Sequence, residues 1–527
     1  MDRRFVVISA FLLLLSLLPS SGVRLVDVKA PNSHLVHNLN TKLNYTTIQG
    51  AINAPETLDG HTIFVEEGVY YEHIFVNKSL TLTGENMVGT TIDGNDTGIL
   101  MQITTDFVNV SGFTFRNSGH NYTDCGILIE TSQGSNINGN ILTRNVYGIK
   151  LVNSTSNRFT ENLATENSVA VDLWNSSNNL ISRNEIDSVN NSCVALWQNS
   201  NNNIIQHNRI SHSNCTGIYT NNSDNNIIAF NNISSNEGGI YLRESSYNII
   251  TGNNITSSTM TGLALRNVTD SRFYGNTIIQ NPYGIYPANI SNNVFAGNTI
   301  AENEYGLCLQ TCYNNTFYDN NFIDNTFQVY FYLSVYPGSF WNNSIEGNYW
   351  SDYHYADLNH DGIGESAYLI TPLSTPLELK QFDHCPLMGM FSSFNTSLDY
   401  HVNVISNSTV EDFEYFDSNS TIKIHVSNTT ATQILGFIRI CIPHGLINNT
   451  YQVRIDGAEP YYVNYTLYDN GTYRWLYFSY HHSRLEIIIV PEFSSFLVLS
   501  IFMMATLLVT VVYKKCYHIC QRKPEAY

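Results

Sequence analysis

The chain has 527 residues, more than one ordinary core holds, so several domains or a long repeat array are expected. Its 25 Lys and Arg stand against 44 Asp and Glu, a formal charge of −19. That balance excludes a nucleic-acid partner, which needs clustered positive charge, and suits a solvated extracellular surface.

Residues 1–22 begin with Arg3 and Arg4, run apolar from Phe5 to Leu18 and reach Ser20, Ser21 and Gly22, the pattern of a secretory signal peptide. From Tyr45 to Gly84 the chain reads Tyr-Thr-Thr-Ile-Gln-Gly-Ala-Ile, then His61-Thr-Ile-Phe-Val, then Ser79-Leu-Thr-Leu-Thr-Gly. Asparagine then recurs at 140, 162, 184, 208, 231, 253, 276, 298 and 320, with spacings of 22 to 24 residues. A second column runs Asn157, Asn179, Asn203, Asn226, Asn248, Ser271, Asn293, Asn315. A small-residue column runs Gly148, Ala170, Cys193, Gly217, Gly239, Gly262, Gly284, Gly306.

Short apolar-x-apolar runs such as Ile149/Leu151, Val171/Leu173 and Ile240/Leu242 separate these marks. They have the period of strands with one buried face and are too short for helices. A coil of about 22 residues therefore holds three strands and three turns, and successive coils stack about 4.8 Å apart. Asparagine suits the turns because it tolerates left-handed backbone angles and its amide can bond the same amide on the next coil. The expected fold is all-β: a right-handed parallel β-helix over 40–335, including an N-terminal cap, with a closing segment over 336–391.

Past Met390 the asparagine repeat stops, and alternating segments such as Tyr400–Ile405, Thr421–Val426 and Leu476–Tyr480 indicate a β-sandwich over 392–490. Ser494 to Tyr513 is a 20-residue run without charge, followed by Lys514, Lys515, Arg522 and Lys523. This reads as a transmembrane helix over 494–513, with 514–527 a cytoplasmic tail and the bulk of the chain outside the cell. Asn-x-Ser/Thr sequons recur throughout, for example at Asn44, Asn109, Asn153, Asn232, Asn254, Asn407 and Asn470, as in a surface glycoprotein. The nine cysteines include no CxxC pair; Cys308 and Cys312 are close enough for a local disulfide, but scattered buried thiols are preferred.

Three resemblances attach to these blocks. The 45–84 stretch resembles the opening of pectin-lyase-like helices, where a short amphipathic helix caps the first coil. Gly347-Asn-Tyr-Trp-Ser-Asp-Tyr, Asp357-Leu-Asn-His-Asp-Gly-Ile-Gly-Glu and Asp383-His-Cys-Pro-Leu-Met resemble, with the repeats, the NosD-type β-helix proteins over about residues 45–390. That family is named for a periplasmic partner in copper-enzyme maturation, and its implied activity is open. Val490-Pro-Glu-Phe before the apolar run resembles the PEF-type carboxy-terminal sorting signals of archaeal surface proteins.

Two constellations carry candidate chemistry. An outward column runs Lys150, Asp172, Ala195, Tyr219, Tyr241, Ala264, Tyr286, Cys308, Tyr330, and another runs Glu130, Val152, Trp174, Trp197, Asn221, Arg243, Arg266. Asp172, Trp174, Trp197, Tyr219, Tyr241, Arg243 and Arg266 are the candidate carbohydrate ligands: sugar rings pack on aromatics while carboxylates and guanidinium groups take hydroxyls. The competing reading is an exposed aromatic ladder that only stabilises neighbouring coils.

Asp357-x-Asn359-x-Asp361-Gly362 is the first half of a calcium loop that the Ile363 carbonyl, Glu365, Asp352 or Asp383 could complete, although the twelfth position is Tyr368 in place of a bidentate Glu. The alternative is a metal-free Asx-rich turn. The 16 His are scattered, with His481-His482 the one adjacent pair, so no copper site is evident. No Asp-Pro-His epimerase signature and no close pair of carboxylates within a repeat is found. The expectation is a surface protein that binds polysaccharide or another glycan without catalysis. The alternatives are a lyase, epimerase or hydrolase, or a purely structural envelope protein.

Overall fold

A computed structural model describes residues 35–332, 338–430, 432–447, 451–481, 483–491 and 503–514. The signal peptide expected at 1–22, residues 494–502 of the expected span and the tail from 515 lie outside these residues. Residues 503–514 are helical, and among the described residues no helix is long and apolar enough to cross a membrane.

The repeat forms a parallel β-solenoid of the right-handed type. Among the described residues its strands line up into three sheets of 14, 13 and 12 strands. One coil contributes Arg158–Thr160, Leu163–Thr165 and Val169–Trp174, and the next places Leu180–Ser182, Glu185–Asp187 and Ser192–Trp197 beside them in parallel register. Apolar residues such as Phe159, Leu173, Ile181, Ile186 and Leu196 point inward and are fully buried, so the coils share one continuous core. The small-residue column is explained by the bend into the third strand, where a Cβ on Gly148 would lie 2.6 Å from the Ala170 carbonyl oxygen.

The asparagine columns are buried ladders of amides. The Asn162 Oδ1 accepts both the Asn140 backbone N–H (3.1 Å) and its Nδ2 (3.2 Å), while Asn162 Nδ2 donates back to Ile137 O at 2.9 Å. The same pattern repeats at Asn184, Asn208, Asn231, Asn253, Asn276 and Asn298. A third ladder, not singled out in the sequence, runs through Asn145, Asn167, Ser213, Asn236, Asn281, Asn303 and Asn325.

Asparagine does take left-handed angles in the turns, as at Asn178, Asn202 and Asn225, but not at the ladder positions themselves. The left-handed angle falls on the residue just before each ladder position, for example Glu161 (φ 57), Arg183 (φ 56), His207 (φ 55) and Phe230 (φ 55). Such residues cost about 1–2 kcal/mol each, and the amide bonds on the following Asn offset that cost.

Both ends are closed. Residues Ile48–Asn53 form a helix capped by Thr47, with Ile48, Ala51 and Ile52 buried over the first coil. At the other end Asn348 extends the first ladder, accepting from Asn320 N at 3.2 Å. Asp383 then ends it: its Oδ2 accepts from Asn348 N (2.7 Å) and from Trp350 Nε1 (3.1 Å). A Cβ on Gly347 would fall on the Asp383 carboxylate, so the Gly-Asn-Tyr-Trp and Asp-His-Cys blocks are two halves of one ladder terminus. A stack of Phe273, Phe295, Phe317 and Trp341, with centroids 4.5–4.7 Å apart, fills the core beneath it.

Strands from Met390–Asn395 to Leu485–Pro491 form a five-stranded and a four-stranded antiparallel sheet with a common apolar core that includes Val404, Ile424, Ile440, Leu476 and Ile489. This unit is docked on the closed end of the solenoid. Arg439 donates to Glu346 (2.9 Å) and to the Asp361 carbonyl (2.8 Å), Trp475 Nε1 donates to Glu346 (3.0 Å), and Leu387, Phe391, Ile405, Phe437 and Tyr477 form a small core between the two. Among the sequons, Asn407 has both ends of its amide engaged, donating to Leu435 O and accepting from Phe437 N.

Candidate functional site

The two outward columns read from the sequence lie side by side on the outer face of the third sheet. The register pairs Asp172 with Ala195, Ala195 with Tyr219, Tyr219 with Tyr241 and Tyr241 with Ala264; alongside, Trp174 pairs with Trp197 and Arg243 with Arg266. The seven candidate ligands thus share one surface that rises four coil steps, about 19 Å at a spacing of about 4.8 Å.

Aromatic contact along it is continuous. Ring centroids are 6.3 Å apart for Trp174 and Trp197, 4.8 Å for Trp197 and Tyr219, and 5.4 Å for Tyr219 and Tyr241. Asp172 differs from its neighbours: it is 4% exposed, bonded to Trp197 and beside Lys150, and burial pushes its carboxyl up to about 6. It lies beneath the aromatic surface, so its oxygens are withdrawn from a ligand on that face.

The face opens into a groove partway along. Between Tyr241 and Tyr286 the column carries Ala264, so one side chain of the aromatic row is missing and a groove of about 630 Å³ opens there. Glu237, Met260, Arg266 and Gln310 complete its lining. Tyr286 is held by its hydroxyl, which donates to Gln310 Oε1 at 2.9 Å. Burial raises its phenol pKa, while the nearby Arg266 acts in the opposite sense.

Glu237, Met260 and Gln310 were not found from the sequence: Glu237 and Met260 lie just before their strands, where the alternation gives no signal, and Gln310 lies inside Tyr305–Tyr313 opposite Ala288, in a column with no common chemistry. A further outer column was missed as well: Tyr283, Tyr305 and Phe327 stack at 5.1 and 5.2 Å. Its upstream members are Val169, Ser192, Thr216, Gly238 and Thr261, which share no chemistry that marks a column.

The proposed calcium loop lies elsewhere, against the second unit. Asp357 accepts from Asp361 N and Gly362 N, both at 3.0 Å, and Glu365 Oε1 accepts from Leu358 N and Asn359 N, both at 2.9 Å. Asp361 Oδ1 accepts from Ile363 N at 2.8 Å and its Oδ2 from Asn359 Nδ2 at 3.2 Å. Each side chain is turned to a different set of donors. Among the described residues no three His, Cys, Asp or Glu side chains converge for a metal ion.

A family model described as "Periplasmic copper-binding protein (NosD)" matches residues 55–219 and 171–355, more than half of the chain. A protein named "Cell surface glycoprotein" from Methanothermus fervidus is 32% identical over 144 residues, which cover 26% of this chain and 22% of that relative's length. Among solved structures, the periplasmic alginate epimerase AlgG is similar at 12% identity and a TM-score of 0.38, covering 56% of this chain and 93% of its own. A mannuronic acid specific polysaccharide family 6 lyase from human gut microbiota is similar at 15% identity and a TM-score of 0.41, covering 57% and 83%.

Among the described residues, the soft donors that touch each other do not fit copper. The pair of soft donors in mutual contact, Cys193 and Cys215 with sulfurs 3.7 Å apart, is buried in the core, and burial raises the Cys193 thiol well above its ordinary range. A thiol must lose its proton to bind copper, and this environment opposes that.

Proposed function

The chain belongs to the NosD family of β-helix proteins, and we propose that this member is a cell-surface module that binds a glycan on the outer face of its third sheet. The observation that carries the reading is the slot at Ala264. Two coil steps, about 9.6 Å, separate Tyr241 from Tyr286, and the groove between them has room for one pyranose ring beside both aromatics. Tyr219, Trp197 and Trp174 continue the apolar path beyond it, so an oligosaccharide could lie along the stack.

Placement at the surface is supported by the relative named a cell surface glycoprotein and by the apolar segments at 1–22 and 494–513. Export and anchorage through those segments belong to the same proposal. Calcium at 357–365 is a further, structural part of it, with the ion holding the loop between the solenoid and the second unit.

The test is a glycan array probed with the purified protein and with Ala264→Tyr. The substitution fills the slot from outside the core, so folding is kept and binding to the selected glycans is expected to disappear. Equal binding by both proteins would move the site elsewhere, and no binding by either would leave a structural envelope role. A catalytic alternative draws on the raised Asp172 carboxyl beside Lys150, which suits proton transfer only to a ligand that opens the bond to Trp197 and reaches the buried oxygens. Turnover of a uronate-containing glycan that is lost in Asp172→Asn would favour that alternative.

A further inference from the structure

Arg243 and Arg266 stand directly opposite each other on adjacent coils. Like charges in that position repel, and in a chain with 44 acidic residues an acidic partner for each would be easily supplied. Arg243 has one, Glu244 at 3.3 Å, and also bonds Tyr219. Among the described residues no carboxylate lies within ion-pair reach of Arg266, which is exposed and forms part of the groove.

We infer that Arg266, supported by Arg243, is the carboxylate subsite of the groove, and that the glycan bound there is acidic, with a uronate in the slot between Tyr241 and Tyr286. The inference rests on the glycan-binding reading and adds the chemical class of the ligand. Distance supports it first. Arg266 follows Ala264 by two residues on the same strand, about 6.7 Å, which equals roughly the reach from the centre of a pyranose ring to its exocyclic carboxylate plus one hydrogen bond. Chemistry supports it next, because the guanidinium fork pairs with a planar carboxylate through two parallel bonds, which a hydroxyl group does not offer.

The opposite end of the groove bears Glu237, just before the first residue of its strand, whereas Arg266 ends the neighbouring strand. A uronate seated the other way round would bring its carboxylate toward Glu237. The two charges therefore fix the direction of the sugar as well as its class, with repulsion at one end and pairing at the other.

The experiment compares a hexamer of 1,4-linked uronate with the same hexamer after its carboxyl groups are reduced to alcohols. Binding to the full chain is followed by tryptophan fluorescence, since Trp174 and Trp197 lie on the same face. The acidic hexamer is expected to bind at least about tenfold tighter, equivalent to about 1.4 kcal/mol. Arg266→Gln is expected to erase that preference by bringing the affinity for the acidic hexamer down to that for the neutral one, and Arg243→Gln to reduce it in part. Equal binding of both hexamers by the unmutated protein, or a preference that survives Arg266→Gln, overturns the acidic subsite and leaves glycan binding standing. Binding of neither hexamer, combined with no binding on the glycan array, overturns both.

Discussion

Asn253 is a mid-ladder position where the contribution of a single amide can be worked out. Its Oδ1 accepts from Asn231 N at 3.0 Å and Asn231 Nδ2 at 2.9 Å; its Nδ2 donates to Ile228 O at 2.8 Å, Thr251 O at 3.2 Å and Asn276 Oδ1 at 3.0 Å. Asn253→Ala leaves the buried Asn231 N–H without its acceptor, at about 1–3 kcal/mol, and removes four further bonds at about 0.5–1.5 kcal/mol each, for a local loss of about 3–9 kcal/mol. Asn253→Ser should lose less, because Ser271 already serves in the second column: it accepts from Asn248 N at 3.1 Å and donates to Thr269 O at 3.1 Å. The neighbouring Asn254 is exposed and its side chain donates to Asn232 Oδ1 on the surface, so Asn254→Ala, which keeps the backbone bond to Asn231 O, is the control, expected within about 0.5 kcal/mol of the parent. A solenoid opens locally, so hydrogen exchange over residues 225–280 is the appropriate assay. Equal protection in Asn253→Ala and Asn254→Ala would refute the view that the amides hold the coils in register.

Three further outcomes are expected. The Asp172 carboxyl, raised from 3.8 to about 6 in the folded protein, makes the native state bind more protons than the unfolded chain between those values. Stability therefore falls as pH rises through that window, and Asp172→Asn should flatten this slope and stabilise the protein at pH 7 by at most about 3 kcal/mol; a steeper slope in the variant would contradict the sign. Arg439→Ala should cost about 3–5 kcal/mol by leaving the buried Glu346 uncompensated, and Arg439→Met combined with Glu346→Gln should recover most of it; denaturant melts and proteolytic release of residues 390–491 read the effect. Calcium at 357–365 should raise the melting temperature only above about 10⁻⁴–10⁻³ M, because the loop oxygens already face its own amides, and Asp361→Ala should abolish the shift; superimposable melts with calcium and chelator would leave a metal-free turn.

What could be read from the sequence was whatever each coil repeats. The apolar-x-apolar runs, two amide ladders, the small-residue column and the two outward columns all carried through, since a period of 22 to 24 residues gives each position several witnesses. The third ladder escaped because Val189, Ser213 and Ser258 interrupt its asparagines, although Ser213 still accepts the bond from Val189 N. Asp383 stood out in the closing block and as a possible calcium ligand, but its role escaped: it terminates the first ladder from 35 residues beyond Asn348, and nothing local marks a carboxylate as the last rung. Burial of Asp172 was also hidden, because its position in the outward column predicts exposure and only the packing of Trp197 over it decides otherwise.

The architecture separates two kinds of constraint. Inside, each coil must repeat its neighbour, because an amide that lacks a partner on the next coil is left buried and unsatisfied. Outside, a residue meets its neighbours only along its column, and exchanging Tyr for Ala at one level disturbs nothing beneath it. Binding features on such a surface therefore arise by omission as readily as by addition. The groove is a stack of tyrosines with one member missing at Ala264, placed where Arg266, without a carboxylate partner among the described residues, meets the rim. On this view the ligand of a NosD-type solenoid is sought where an outward column breaks its own pattern, and in this chain the columns break at Ala264 within an otherwise aromatic run from Tyr219 to Tyr286.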